Sequence, residues 1–153
     1  NKLKGYFIVN LRPWHKNTEN LYKKINQVVS EIVLKYKLLP VFIPFQKVHQ
    51  NDEELMRKIV EQSSVKYPFL MQKFDHNVFR VLSLIENAKF TIGMRLHSLI
   101  FSLIQNVPII ALSYSPKINN LLKDNNLEAF VVDIEKPEEI FRKVEDILSE
   151  NIL

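Results

Sequence analysis

The sequence predicts a Rossmann-like, doubly wound α/β domain built on a mainly parallel sheet. Apolar runs of strand length alternate with segments of helical period, and no repeat, low-complexity tract or internal linker interrupts the series. Several of the strand runs are hydrophobic without alternation, which marks strands covered on both faces, as in a parallel sheet flanked by helices. At 153 residues, 46% hydrophobic and 25% charged, the chain has the length and composition of one globular domain with a full core.

The strands are expected near 6–11 (Tyr-Phe-Ile-Val-Asn-Leu), 40–45 (Pro-Val-Phe-Ile-Pro-Phe), 68–71, 89–92, 108–113 (Pro-Ile-Ile-Ala-Leu-Ser) and 129–132. Between them the helical period falls on 18–37, 52–62, 76–87, 95–105, 117–124 and 137–149. The first helix carries Lys23, Lys24, Lys35 and Lys37 on an outer face. The second opens on Asp52, Glu53 and Glu54, which suit the positive end of the helix dipole. Asp75 is the expected cap of the third, and Pro137-Glu138-Glu139 makes a suitable first turn for the last. The chain opens on Asn-Lys-Leu-Lys-Gly leading straight into a strand, as a linker from a preceding domain would; residues 1–153 are therefore expected to form a single domain, the C-terminal half of a longer chain.

Composition excludes several chemistries. Cysteine is absent, so disulfides and thiolate metal sites are ruled out, and His15, His49, His76 and His97 show no close ligand spacing, so no metal is expected. The longest apolar stretch, Leu99 to Tyr114, is broken by Gln105-Asn106 and Pro108, so no transmembrane segment is expected. The two glycines, Gly5 and Gly93, leave no room for a GxGxxG or Walker A loop. Residues 1–50 hold nine Lys or Arg against two acids, and 118–153 hold four against nine. The basic end suits an anionic substrate or surface, or simply solvates a helix; aromatics do not interleave with its lysines, so no nucleic-acid partner is expected.

The most informative segment is Thr91-Ile92-Gly93-Met94-Arg95-Leu96-His97, where a strand runs through a glycine into a helix whose first turn carries an arginine and a histidine. Cations are disfavoured at a helix start, whereas a bound phosphate or carboxylate would take hydrogen bonds from the first N–H groups and from Arg95 together. His97 beside it can donate a proton near neutral pH, or pack inertly on Phe101 and Leu96. Gly93 would let backbone approach a ligand closely, or serve a tight turn alone.

In open parallel sheets ligands bind outside the carboxyl ends of the strands. Those positions here are basic: Arg12-Pro13-Trp14-His15-Lys16, Gln46-Lys47-Val48-His49, Arg95 with His97, and Tyr114-Ser115-Pro116-Lys117. A parallel sheet would bring these cations to one rim. Lys117 suits phosphate as a point charge or solvates the surface. Arg12 suits a carboxylate bidentately, or stacks on Trp14.

The segments Gly93-Met94-Arg95-Leu96-His97-Ser98-Leu99-Ile100-Phe101, Val107-Pro108 and Leu112-Ser113-Tyr114-Ser115-Pro116-Lys117 resemble the C-terminal signature of polysaccharide pyruvyl transferases. Arg12-Pro13-Trp14 and Pro44-Phe45-Gln46 are similar to that family's secondary motifs. The departure is Ser115, where bacterial cell-wall members usually have aspartate. The resemblance implies one half of a GT-B-like, two-domain enzyme that moves the pyruvyl group of phosphoenolpyruvate onto two hydroxyls of a sugar as a ketal, with no cofactor. It implies catalytic roles for His97, Lys117 and Arg95 and substrate contacts from Arg12, Gly93, Ser113 and Tyr114. It further implies a lipid-linked sugar acceptor, such as an N-acetylmannosamine-containing cell-wall precursor, a preceding domain that selects it, and a cytoplasmic location at the inner face of the membrane. Two other readings use the same rim: a sialyltransferase-like domain taking a nucleotide-sugar donor, for which Glu128 and Asp133 are the late acids near a strand end, and a non-catalytic module binding an anionic glycan.

Overall fold

The computed structural model describes residues 2–14, 18–47 and 51–150. Six parallel strands form one sheet: β1 (Gly5–Asn10), β2 (Leu38–Phe42), β3 (Leu70–Met71), β4 (Thr91–Gly93), β5 (Ile109–Ser113) and β6 (Val131–Asp133), in the order β3-β2-β1-β4-β5-β6. The helices between them are α1 (Thr18–Tyr36), α2 (Asp52–Glu61), α3 (Val78–Glu86), α4 (Leu96–Ile104), α5 (Pro116–Asp124) and α6 (Glu139–Glu150).

Alternate residues of β1 explain the unbroken apolar run. Phe7 and Val9 enter the core under α1, α2 and α6, and Ile8 enters the one under α3. A third cluster joins Leu99 of α4 to Ile118 and Leu122 of α5 across Ile109 and Ala111. The sheet is therefore buried on both sides, and only its rims are open to a ligand. The strand order reverses between β1 and β4, so the loops after these two strands diverge and leave a crevice at the carboxyl rim.

Among the boundaries that differ from expectation, four have a local physical reason. β2 runs from Leu38 to Phe42 rather than over 40–45, with Pro40 inside it; β3 pairs only with Val41 and Phe42, so at Pro40 one side of β2 is unpaired and tolerates the missing N–H. β3 is two residues long, because this sheet edge is open and Leu70 is 56% exposed. β6 starts at Val131 because Glu128–Phe130 forms a 3-10 turn. The cap of α3 is Asn77, whose side chain accepts from the Arg80 N–H, and not Asp75, which accepts from the Asn77 N–H one step earlier.

With so few glycines, the chain ends its helices on other residues. Lys37, Asn106 and Asn126, which follow α1, α4 and α5, adopt the left-handed conformation with φ near 58° to 59°. His76 shares that conformation at φ 59° but stands before a helix, not after one.

Candidate functional site

Asn10 ends β1 fully buried and ties three strand ends together. Its Nδ2 donates to the Ile43 carbonyl at 2.9 Å, its Oδ1 accepts the Arg95 N–H at 3.0 Å, and its carbonyl accepts the Met94 N–H at 3.0 Å. Arg95 is the N-cap of α4, with φ −77° and ψ 137°, and its side chain makes no cap bond. Instead it forks onto Asp52, the first residue of α2, with Nε to Oδ2 at 3.2 Å and Nη2 to Oδ1 at 2.8 Å. Asp52 is 0% exposed, and the Arg95 side chain 12%. The Asp52 carboxylate also accepts the Phe45 N–H at 3.1 Å and Asn10 Nδ2 at 3.4 Å. The cation at the helix start thus has a buried counter-charge, which offsets the dipole penalty that the sequence made conspicuous.

Gly93 is required by packing. A Cβ placed there would lie 2.3 Å from Ser98 Oγ and 3.1 Å from Leu99 Cδ2, so the bare backbone lets α4 sit on β4. Ser98 Oγ in turn donates to the Arg95 carbonyl at 2.6 Å, so a side chain at Gly93 would push on the residue that opens the helix. Gly93→Ala is expected to lower stability by about 1–3 kcal/mol, the range for overpacking. Ser98→Ala should recover part of that loss in the Gly93→Ala background, measured as a coupling in chemical denaturation; additive effects of the two substitutions would rule out this contact as the cause.

Beside β4, Arg12 reaches over from the end of β1 to Tyr114 at the end of β5. Its Nη1 donates to the Tyr114 hydroxyl at 2.7 Å, and its guanidinium carbon stands 4.5 Å from the Tyr114 ring centre. Tyr114 is therefore an aromatic partner of Arg12. Tyr114, Ser113 and Ser115 line a cleft of about 340 Å³ with Trp14, Asn119 and Asp133. Ser113 is mostly buried and donates to the Ser115 carbonyl at 3.3 Å. Lys117 lies in the first turn of α5, exposed.

His97 lies on the other side of the switch point. It is exposed, its ring centre is 6.0 Å from that of Phe101, and it borders a second cleft of about 190 Å³ walled by Phe45, Phe74 and Phe101. Phe74 is anchored there by its N–H, which donates to Glu53 Oε1 at 3.0 Å, while Glu53 Oε2 accepts from Arg57 Nε at 3.3 Å. Burial pushes the Glu53 carboxyl up, but the Phe74 N–H, Arg57 and the charge of Lys47 outweigh it and hold the group below its ordinary range. Its contribution to stability is therefore present at neutral pH and lost as pH falls through that lowered value.

The first turn of α2 thus organises both halves of the rim, Asp52 through Arg95 and Glu53 through Phe74. Arg12 meets Tyr114 on one side of the end of β4, while Arg95, two residues after Gly93, turns to Asp52 on the other; His97 faces the β2 side and Ser113 the β5 side. His15, Lys16, Val48 and His49 lie outside the described residues. Sequence reading missed Asn10 and Asp52. The one usable signal was a polar asparagine ending a strand that is otherwise apolar on both faces.

The model of the polysaccharide pyruvyl transferase family matches residues 1–116 of this chain. No curated protein matches it in sequence. Among solved structures, the UDP-GlcNAc 2-epimerase of Methanocaldococcus jannaschii, in complex with UDP-GlcNAc and UDP, superposes with a TM-score of 0.66 at 15% identity, over 95% of this chain and 39% of that one. A putative UDP-N-acetylglucosamine 2-epimerase from Listeria monocytogenes gives 0.64 at 13% identity, over 95% and 37%. The UDP-GlcNAc 2-epimerase of Neisseria meningitidis, bound to UDP-GlcNAc, gives 0.52 at 12% identity, over 98% and 45%. The chain spans less than half the length of each, and at these identities the likeness is one of fold: the Rossmann-like α/β domain of GT-B proteins. Among the described residues no helix is long and apolar enough to cross a membrane.

Proposed function

Because this chain belongs to the polysaccharide pyruvyl transferase family, we propose that its carboxyl rim binds phosphoenolpyruvate as donor for ketal formation on a sugar of a cell-wall polysaccharide precursor. The observation that supports this reading most is the placement of Arg12, held by Tyr114, and of the exposed Lys117 at the same carboxyl rim, with His97 in the first turn of α4. Phosphoenolpyruvate carries a phosphate and a carboxylate on adjacent atoms, and a rim with several cations from different strands suits it. Arg12 and Lys117 hold the anionic groups, Gly93, Ser113 and Tyr114 contact the donor, and Arg95, its charge balanced by Asp52, holds the floor of the crevice in place.

In the reaction His97 gives a proton to the methylene carbon, which makes C2 electrophilic. A sugar hydroxyl bonds to C2 and loses its proton, and the C2–O bond to phosphate breaks with the electron pair leaving on phosphate. A second hydroxyl of the same sugar then bonds to C2 and loses its proton. One proton ends on the new methyl group, one on the phosphate, and no oxidant, reductant or cofactor is consumed. Fixed cations stabilise the charge that moves onto phosphate. In this reading the chain is the donor half of a two-domain, GT-B-like enzyme working in the cytoplasm at the inner face of the membrane, and the lipid carrier of its acceptor extends onto the other half.

Calorimetric titration of phosphoenolpyruvate into this chain, with UDP as the competing ligand, tests the proposal. Saturable binding is expected, weakened about tenfold or more in Lys117→Ala and in Arg12→Ala and weakened further by salt. Binding of UDP alone would instead favour the nucleotide-sugar reading, and anion binding insensitive to both substitutions would place the donor elsewhere.

A further inference from the structure

The cleft on the β2 side of His97 is lined by none of Arg12, Tyr114 and Lys117, and its lining has the character of a carbohydrate site. Phe45, Phe74 and Phe101 give it aromatic walls, while Gln72, His76 and Asn77 bring amide and imidazole groups to its edge. A pyranose needs this combination, since its C–H face packs on aromatic rings and its hydroxyls bond outward in the plane of the ring.

The wall is built rather than incidental. His76 is held at φ 59°, a conformation that costs a side-chain-bearing residue, and it does not end a helix as Lys37, Asn106 and Asn126 do. Its ring stands edge-on to Phe74 with centres 4.4 Å apart. Around it the Asn77 N–H donates to Asp75 Oδ1 at 3.0 Å, Arg80 pairs with Asp75, and the Arg80 N–H donates to Asn77 Oδ1 at 3.1 Å. From the other side Glu53 fixes the backbone at Phe74. These bonds over-determine the turn, and their result is an imidazole aimed along the same cleft that His97 borders.

We propose that this cleft is the subsite for the pyranose that receives the ketal. The inference rests on the reading of His97 as the acid of a pyruvyl transfer, because a group serving that transfer has to stand between its two reactants: the donor lies toward Arg12 and Tyr114, which leaves this cleft for the acceptor. The ring that reacts is then held on this chain, with His76 and Phe74 setting which face of it turns toward C2 of the donor.

The test uses methyl galactoside, methyl glucoside and N-acetylmannosamine as probes, with sorbitol as an acyclic control, followed by protein NMR alongside the phosphoenolpyruvate titration. At least one pyranoside is expected to perturb resonances of Phe74, His76 and Phe101, and sorbitol none. His76→Gly removes the ring at a position where glycine is conformationally at ease, so its Tm should hold while sugar affinity falls about tenfold. Phe74→Ala should do the same to sugar affinity, and neither substitution should change phosphoenolpyruvate affinity. Unchanged sugar binding in both variants, perturbation confined to the Tyr114 and Ser115 side, or no response to any pyranoside would overturn the proposal. Donor binding without sugar binding in this cleft would leave the transferase reading standing alone, whereas sugar binding here without phosphoenolpyruvate binding would sink that reading and keep the subsite.

Discussion

Replacing Asp52 by alanine is expected to cost about 3–5 kcal/mol of stability, the range found when one partner of a buried ion pair is removed. Asp52 is 0% exposed and the Arg95 side chain 12%, so the guanidinium left behind would remain largely out of water without its carboxylate. The Phe45 N–H and Asn10 Nδ2 would lose their acceptor in the same step. For a domain of this size that corresponds to a fall in Tm of roughly 10 °C or more. The double substitution Asp52→Leu with Arg95→Met should recover much of the loss, because an apolar pair of similar volume needs no counter-charge. Lys117→Ala, at an exposed position, should stay within about 0.5 kcal/mol of the parent. Thermal and urea denaturation of the four proteins would decide the matter: an Asp52→Ala protein as stable as Lys117→Ala would mean that the ion pair contributes nothing to the fold.

Asp52 also marks where the sequence stops being legible. Its position in the first turn of α2 was evident from local chemistry, since an acid belongs at the positive end of a helix. That reason is true and incomplete, because the stronger constraint comes from Arg95, 43 residues away, and periodicity carries no record of such a pairing. The strands fared differently. Burial on both faces writes itself into an unbroken apolar run, so β1, β4 and β5 could be placed by composition alone, and the parallel order followed from their alternation with helices. Short edge elements left no comparable trace, as β3 and the 3-10 turn before β6 show. The candidate site was half legible for the same reason: Arg12, Arg95, His97 and Tyr114 were found because they follow strands, whereas the partition of the rim into two clefts, one bordered by His97 and one by Tyr114 and Ser115, depends on side-chain directions that spacing does not encode. Gly93 was singled out by its rarity, whereas its close packing on Ser98 is a constraint that rarity does not encode.

His97→Ala is expected to lower kcat of the active enzyme by about 10²- to 10⁴-fold, the usual worth of a positioned general acid. The structure makes this a clean experiment. His97 is exposed and contributes no buried packing, so the variant should melt with the parent, unlike any substitution at Asp52 or Gly93. Donor affinity should also change little if the anionic groups rest on Arg12 and Lys117, so the loss should fall on kcat and leave the calorimetric phosphoenolpyruvate titration nearly intact. A residue that only shaped the cleft would give the opposite division, weaker sugar binding with kcat preserved at saturating acceptor, which is the behaviour expected of His76→Gly. The two histidines border one cleft, and measuring both in kcat and in acceptor KM separates proton transfer from positioning. Normal turnover in His97→Ala would remove the acid from the mechanism and shift the protonation of the methylene carbon to another group on the rim.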